Sequence, residues 1–411
     1  MNIDELKIAI IGLGYVGLPL SIELSKKNET IGFDIDSKRV NDLIKGVDYT
    51  NECSVDELQS AGRLRFSSDF SEVASCDVYI VTVPTPIDEF NVPDLTPLKK
   101  ASEMIGSVLN ENNFVIYEST VYPGATEEIC KPILEQVSNL KMNENFYLGY
   151  SPERINPGDK DRRVSNIKKV TSGSNIYSSE IIDQIYSRII TVGTHKASSI
   201  KVAEASKIIE NTQRDVNIAL MNEFKMIFDK LEIDTKEVIE AAATKWNFIK
   251  LVPGLVGGHC ISVDPYYLVH KAQEVGFIPD IMKSSREINN NMAGYIANEF
   301  VKRLLRSGHF DLNKKILILG FSFKANCPDI RNTKVNDVIK ELNNYGLNID
   351  VYDPVIDTEE VKNVYSINIY KDLKELDSKE YTAVLQLVNH VEFEYEDFRR
   401  FISTVPFFYT I

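Results

Sequence analysis

The residues best suited to covalent chemistry stand at Gly257-Gly258-His259-Cys260-Ile261-Ser262-Val263-Asp264. A thiolate is a nucleophile and needs a nearby cation to lower its pKa; Lys207 is the candidate for that cation. Two glycines before the cysteine allow unusual backbone angles and expose N–H groups near the sulfur. Such donors stabilise the oxyanion of a thiohemiacetal. The five cysteines, Cys53, Cys76, Cys130, Cys260 and Cys327, are scattered and form no C-x-x-C pair. Neither a zinc site nor a disulfide framework is expected, and no metal is assigned. Only Cys260 and Cys327 lie in turn-like, polar settings, while Cys76 and Cys130 read as packing residues. His259 is adjacent to Cys260, but sequence neighbours point apart, so it reads as structural rather than as a base.

A second constellation is Gly12-Leu13-Gly14-Tyr15-Val16-Gly17, directly after the β-branched run Lys7–Ile11. Gly12 makes the tight turn, Gly14 lets the backbone approach a pyrophosphate, and Gly17 allows close helix–strand packing, with the helix N-terminus attracting the phosphate charge. Asp34, at the end of a second strand, is placed to accept hydrogen bonds from an adenosine ribose diol. Its charge repels a 2′-phosphate and favours NAD over NADP; Lys38 and Arg39 nearby soften that preference.

Further polar groups cluster after predicted strands, where open α/β sheets bind ligands. Thr85 lies in Val83-Pro84-Thr85-Pro86 and Thr120 in Glu118-Ser119-Thr120. Either offers a hydroxyl to a cofactor or water, or serves only turn chemistry. Glu153 and Arg154 open a polar loop, where Glu153 is either a base or water-positioner or a solvated loop carboxylate. Lys207 and Asn211 share a helix face, near Glu204 and Arg214; that stripe is either solvated surface or part of a site. Lys324 and Arg331 follow a later strand and suit a phosphate or sugar hydroxyl, or are surface charge.

The elements that must position these groups are legible in the pattern. Short apolar runs at Lys7–Ile11, Thr30–Phe33, Val78–Val83, Phe114–Tyr117 and Phe146–Gly149 alternate with helical stretches, implying βαβ units and a parallel sheet. A proline- and glycine-free helix is expected from about Ser198 to Leu231, ~50 Å long at 1.5 Å per residue. Helical pattern continues to about Arg306, interrupted by the glycine-rich loop Pro253–Gly258. A second α/β unit starts at Lys315–Gly320 and has a strand at Ile349–Tyr352 closed by Asp353. The expected class is α/β, with two Rossmann-like parallel-sheet domains joined by a long central helix and a helical dimerisation region. The expected boundaries are 1–195, 196–306 and 307–411.

The chain has 411 residues, 43% hydrophobic and 26% charged, with a formal charge of -14. That is ordinary globular composition. The acidic balance gives no electrostatic reason to bind a nucleic acid or an anionic membrane. No apolar run approaches the roughly 20 residues of a membrane span, and the start lacks a signal-peptide layout. A reduced, cytoplasmic protein is expected.

Taken in order, Gly12–Gly17, Val83–Pro86, Ser119-Thr120, Ser151–Glu153, Lys207 with Asn211, Gly257–Cys260 and Phe323-Lys324 resemble the UDP-glucose/GDP-mannose 6-dehydrogenase family across essentially the whole chain. Ser-Pro-Glu-Arg-Ile-Asn-Pro-Gly-Asp at 151–159, Lys245-Trp246-Asn247-Phe248 and Gly257–Ile261 are most similar to its UDP-N-acetylhexosamine branch. The resemblance implies a four-electron oxidation of the 6-hydroxyl of UDP-GlcNAc or UDP-GalNAc to a carboxylate, with NAD as acceptor, for bacterial surface polysaccharide. Cys260 would capture the aldehyde as a thiohemiacetal, and oxidation to a thioester and hydrolysis would follow. Lys207 would stabilise oxyanions with help from Asn211, while Asp264, Thr120 and Glu153 would organise proton transfer and the hydrolytic water. Cofactor contacts would come from Gly12, Gly14, Tyr15, Val16, Gly17, Asp34, Arg39, Thr85, Thr120 and Arg331. Substrate contacts would come from Glu153, Arg154, Lys207, Asn211, Gly257 and Lys324. The long helix would form a homodimer core.

The sequence departs from that pattern at Pro157 and Val263, where the glucose branch has an acidic residue and a lysine. At Val252 close relatives have an arginine, with Lys250 the nearest replacement. The alternatives are UDP-glucose or UDP-ManNAc as substrate, a two-electron β-hydroxyacid dehydrogenase that does not need Cys260, and a non-catalytic nucleotide-sugar-binding protein.

Overall fold

The computed structural model describes residues 2–155 and 161–411. They divide into two compact units: one runs to Glu210 and includes Tyr266–Phe277, the other comprises Asn211–Pro265 and Ile278–Ile411.

The first unit is built on eight strands: β1 (Ile8–Ile11), β2 (Thr30–Phe33), β3 (Leu64–Ser67), β4 (Val78–Val81), β5 (Phe114–Tyr117), β6 (Tyr147–Tyr150), β7 (Lys169–Gly173) and β8 (Thr194–Lys196). Their order is β3-β2-β1-β4-β5-β6-β7-β8. Pairing is parallel, with Ile8 opposite both Thr30 and Val78, except at the antiparallel β6–β7 step. Every residue of β1, β4 and β5 is buried, as expected of parallel strands covered on both faces. Ile8, Ile10, Leu20, Val78, Ile80, Ile116, Ile182 and Tyr186 form the core on one side of the sheet. The strand order reverses between β1 and β4, the position where doubly wound sheets bind ligands beyond the strands' carboxyl ends. The glycine-rich turn follows β1 and the Val83–Pro86 loop follows β4, so the topology brings both to this point.

The second unit carries a fully parallel five-stranded sheet of β9 (Lys315–Leu319), β10 (Ile349–Tyr352), β11 (Ile369–Tyr370), β12 (Tyr381–Gln386) and β13 (Phe407–Thr410), in the order β11-β10-β9-β12-β13. Helix Asp280–Ser307 buries Met292, Ile296, Phe300 and Leu304 against Ile316, Ile318 and Val338. It ends at Gly308, whose φ of 73° supplies the left-handed cap that a β-carbon disfavours.

The expected long helix spans Ile200–Lys230, and the boundary between the two units falls within it. Among the described residues no helix is long and apolar enough to cross a membrane.

Candidate active site

In the glycine-rich turn the three glycines do different work. Gly12 has φ +98°, and a β-carbon on Gly17 would lie 1.9 Å from the Gly12 carbonyl oxygen and 2.4 Å from Thr82 Oγ1. A β-carbon on Gly14 would meet nothing within 4 Å, so the space over that backbone is open to a ligand. Thr82 Oγ1 donates to the Gly12 carbonyl at 2.7 Å, tying the turn to the end of β4. Asp34 Oδ2 accepts from Leu13 N–H at 2.8 Å and Oδ1 from Asp36 N–H at 2.9 Å. The half-buried carboxylate is thereby held at the end of β2.

This contrast makes a prediction. Gly17→Ala lowers stability by about 2 kcal/mol or more through overpacking. Gly14→Ala keeps the wild-type Tm and weakens NADH binding at least about tenfold, because the added methyl occupies the phosphate approach. Thermal denaturation and fluorescence titration with NADH separate the two.

Arg39 does not stand in the open beside this turn. It is buried, donates from Nε to the Leu13 carbonyl at 2.9 Å and pairs with Asp48 at 2.8 Å. Its charge is matched by Asp48, and its contact braces the turn through the backbone. Tyr15 and Val16 are half-buried at the head of helix Gly17–Ser25. Thr85 and Thr120 are half-buried after β4 and β5. Ser119 Oγ donates to the Val83 carbonyl at 2.6 Å, joining those two loops.

Glu153 and Lys207 form a buried pair, Nζ to Oε2 at 3.3 Å with both side chains 5% exposed. The other Glu153 oxygen accepts from Ile155 N–H. Burial pushes the Glu153 carboxyl up, against the pull of Lys207 and Lys169, because desolvation disfavours the charged form. Arg154 forms a bidentate pair with Glu210 at 3.2 and 2.6 Å. Pro157 lies outside the described residues.

Glu204, on the same long helix, accepts from Gly124 N–H at 2.5 Å and Thr126 N–H at 2.9 Å, anchoring the turn beyond Thr120. Burial raises its carboxyl from 4.5 to about 7. A raised folded-state value means that the folded protein holds this proton more tightly than the unfolded chain. That contribution is full below about 4.5 and is lost as pH rises through about 7, about 3 kcal/mol in all. Urea denaturation of wild type and Glu204→Gln at about pH 5 and about pH 8 tests this: the wild type loses more stability on the alkaline side than the variant.

In the second unit Gly258 has φ +85°, and a β-carbon there would lie 2.8 Å from the Phe323 ring. One on Gly257 would lie 2.6 Å from the Asn332 carbonyl oxygen. Only glycines let the chain pass this close before Cys260. The Cys260 carbonyl accepts from Val263 and Asp264 N–H at 3.2 and 2.8 Å, winding the chain into helix Asp264–Glu274. Asn211 donates to Asp264 Oδ2 at 2.6 Å, with both residues buried. Cys260 itself is half-exposed. By contrast burial pushes Cys76 and Cys130 up to about 12, and Cys327, expected in a polar turn, is buried.

His259 Nε2 lies 3.5 Å from Asp329, which also pairs with Arg331 at 2.6 Å. Burial opposes ionisation of Asp329, but its hydrogen bonds to His259 and Arg331 hold it well below the ordinary carboxylate range. Lys324 is half-buried, its carbonyl accepting from Ser322 Oγ at 2.8 Å. Val252 and Lys250 are exposed. Among the described residues no group of three or more His, Cys, Asp or Glu side chains is arranged to hold a metal.

Two buried networks escaped the sequence reading. Lys169 pairs with Glu118 at 2.5 Å, and Tyr186 donates to the same carboxylate at 2.5 Å. In the second unit Asp353 Oδ2 accepts from Phe321 N–H at 2.7 Å and lies 3.1 Å from His390 Nε2. No local pattern marks Lys169 or His390.

A doubly wound sheet with an open glycine-rich turn at its switch point, and a carboxylate after the second strand, defines a dinucleotide-dependent oxidoreductase. Residues 6–190 match the NAD binding domain of the UDP-glucose/GDP-mannose dehydrogenase family, 201–291 its central domain and 317–409 its UDP binding domain. The chain is 53% identical to the UDP-N-acetyl-D-glucosamine 6-dehydrogenase of Salmonella typhi, over 97% of this chain and 94% of that one. It is 56% identical to the enzyme of the same name from Pseudomonas aeruginosa, over 88% and 86%. The UDP-D-ManNAc dehydrogenase structure from Pyrococcus horikoshii superposes with a TM-score of 0.87 at 27% identity, covering 97% of this chain and 93% of that chain. The chain belongs to the UDP-glucose/GDP-mannose dehydrogenase family. It is an NAD-dependent nucleotide-sugar dehydrogenase.

Proposed function

We propose that this protein oxidises the 6-hydroxyl of a UDP-N-acetylhexosamine, UDP-GlcNAc or UDP-GalNAc, to the carboxylate through a cysteine-bound intermediate. The balanced reaction consumes two NAD+ and one water and releases two NADH and three protons. The observation that carries the reading is the glycine-permitted turn that presents a half-exposed Cys260 ahead of the buried Asn211–Asp264 bond. The two UDP-N-acetyl-D-glucosamine 6-dehydrogenases to which the chain is similar support the sugar class.

NAD fits the first unit: Gly14 leaves open space over the turn, and Asp34 stands where a ribose diol is received. Gly12, Tyr15, Val16, Gly17, Thr85 and Thr120 complete that cradle, with Arg39 bracing its turn through the Leu13 carbonyl; Arg331 is assigned a cofactor contact. When bound, NAD accepts the hydride in each oxidation.

Cys260 Sγ adds to the aldehyde carbon, and the resulting thiohemiacetal loses a second hydride to become a thioester. Lys207 stabilises the developing oxyanion, assisted by Asn211. Glu153, with Thr120 and Asp264, positions the water that hydrolyses the thioester and takes its proton. Gly257, Lys324 and Arg154 act in holding the nucleotide sugar. The residues 196–306 serve as the dimerisation region, with the Ile200–Lys230 helix at a homodimer core. The enzyme works in the cytoplasm, supplying a UDP-uronic acid for surface polysaccharide.

The test is NADH formed per sugar consumed, by absorbance, with UDP-GlcNAc, UDP-GalNAc and UDP-glucose in parallel. Two NADH per N-acetyl sugar are expected. One per sugar refutes the cysteine route, and preference for UDP-glucose refutes the substrate class.

A further inference from the structure

The first unit has a small, partly open pocket whose lining includes Glu118, Glu153, Arg154, Ile155 and Lys169. Two ion pairs meet there. Lys207, from the long helix, holds Glu153 at 3.3 Å. Lys169, at the start of β7, holds Glu118, just after β5, at 2.5 Å with side-chain exposures of 9% and 1%. Tyr186, from helix Ile176–Ser187, donates to the second oxygen of Glu118 and lies under Lys169 Nζ, 5.2 Å from ring centre to nitrogen. Arg154, in Glu153's own loop, is committed to Glu210.

We propose that Glu118 and Lys169 are positioning residues whose buried ion pair sets the charge state of Glu153. The inference rests on the reading of Glu153 as the group that handles the hydrolytic water. Buried charges are poorly screened, so neighbours in one pocket act on each other strongly. Two carboxylates and two ammonium groups balance to zero, and removal of either member of the outer pair leaves a charge of known sign beside Glu153. Around Glu153, burial raises its proton affinity, Lys207 and Lys169 lower it, and Glu118 raises it. Glu118 also opens the Glu118-Ser119-Thr120 segment, so the pair fixes the backbone that carries Thr120.

The two halves of the pair then have opposite effects. Glu118→Gln leaves Lys169 facing Glu153 alone and moves the acid limb of the kcat/KM profile to lower pH. Lys169→Met moves it to higher pH, each by about half a unit or more. Lys169→Arg restores the wild-type limb, and the doubly neutral Glu118→Gln, Lys169→Met variant lies between the single ones. Where turnover is too low to profile, the carboxylate infrared band, subtracted against Glu153→Gln, is titrated instead. A pair that is only structural lowers Tm and leaves the limb in place, or moves it the same way in both variants; either result overturns the inference. Glu153→Gln separates the two readings. If the limb survives in it, the assignment of Glu153 fails and takes the inference with it. If the limb disappears there but stands still in the outer-pair variants, the inference alone fails.

Discussion

Cys260→Ala loses conversion of UDP-GlcNAc to the uronic acid by about a thousandfold or more, the scale for removal of a catalytic nucleophile, and keeps its fold. Cys260 is half-buried and belongs to no core cluster, and loss of one sulfur atom there costs about 1 kcal/mol. The turn that carries it is held by backbone: the Cys260 carbonyl accepts from Val263 and Asp264 N–H, and alanine preserves both bonds. The loss arises at the second oxidation. An aldehyde has no hydride that leaves a tetrahedral, oxygen-bearing carbon until a nucleophile has added to it. The thiol supplies that nucleophile and leaves a thioester, which water cleaves readily. Steady-state kinetics with matched NADH and nucleotide-sugar titrations make the comparison: binding persists while kcat for conversion to the uronic acid collapses. If Cys260→Ala stays largely active, the chemistry is a two-electron oxidation of the kind that a β-hydroxyacid dehydrogenase performs.

The features that local sequence encodes were readable, and those made by distant partners were not. Gly12, Gly14 and Gly17 are spaced by the geometry of one turn, so their pattern carries its meaning without the rest of the chain. β1, β2, β4 and β5 are buried on both faces and therefore read as continuous apolar runs. β3 and β8 carry exposed residues in their patterns, and neither stood out. Arg39 looked like a surface cation near the cofactor. In helix Ser37–Ile44 it lies beside Val40 and Leu43, the other buried residues of that helix; this periodicity was the available signal, and its partner Asp48 completes the burial. Lys169 offers no such signal, since it sits in a lysine-containing run and its partner is 51 residues away. A charge looks solvated in sequence until the sheet order places a carboxylate against it. The same holds for Asp353, legible as a strand-closing residue but not as the partner of His390.

The Lys207–Glu153 pair gives the largest combined loss of stability and activity. Lys207→Met leaves Glu153 as a buried carboxylate without its 3.3 Å ammonium partner, and breaking a buried pair from one side costs about 3–5 kcal/mol. Removal of a preorganised cation from a developing oxyanion lowers kcat about 10²–10³-fold. Burial already raises the Glu153 carboxyl, and the variant raises it further. The folded Lys207→Met protein therefore holds a proton that the unfolded chain releases, so its stability falls as pH rises through the carboxyl's new value. Glu153→Gln in that background removes the stranded charge: stability returns toward wild type, and the pH slope flattens. Activity does not return, because neither the cation nor the water-positioning carboxylate is present. Urea denaturation across pH, paired with kcat for the single and double variants, reads both quantities. Recovery of stability together with recovery of turnover would make the pair a packing device and leave the oxyanion to other groups. Recovery of stability alone assigns the pair to the chemistry, since a contact that served only the fold has nothing left to withhold once the fold is restored.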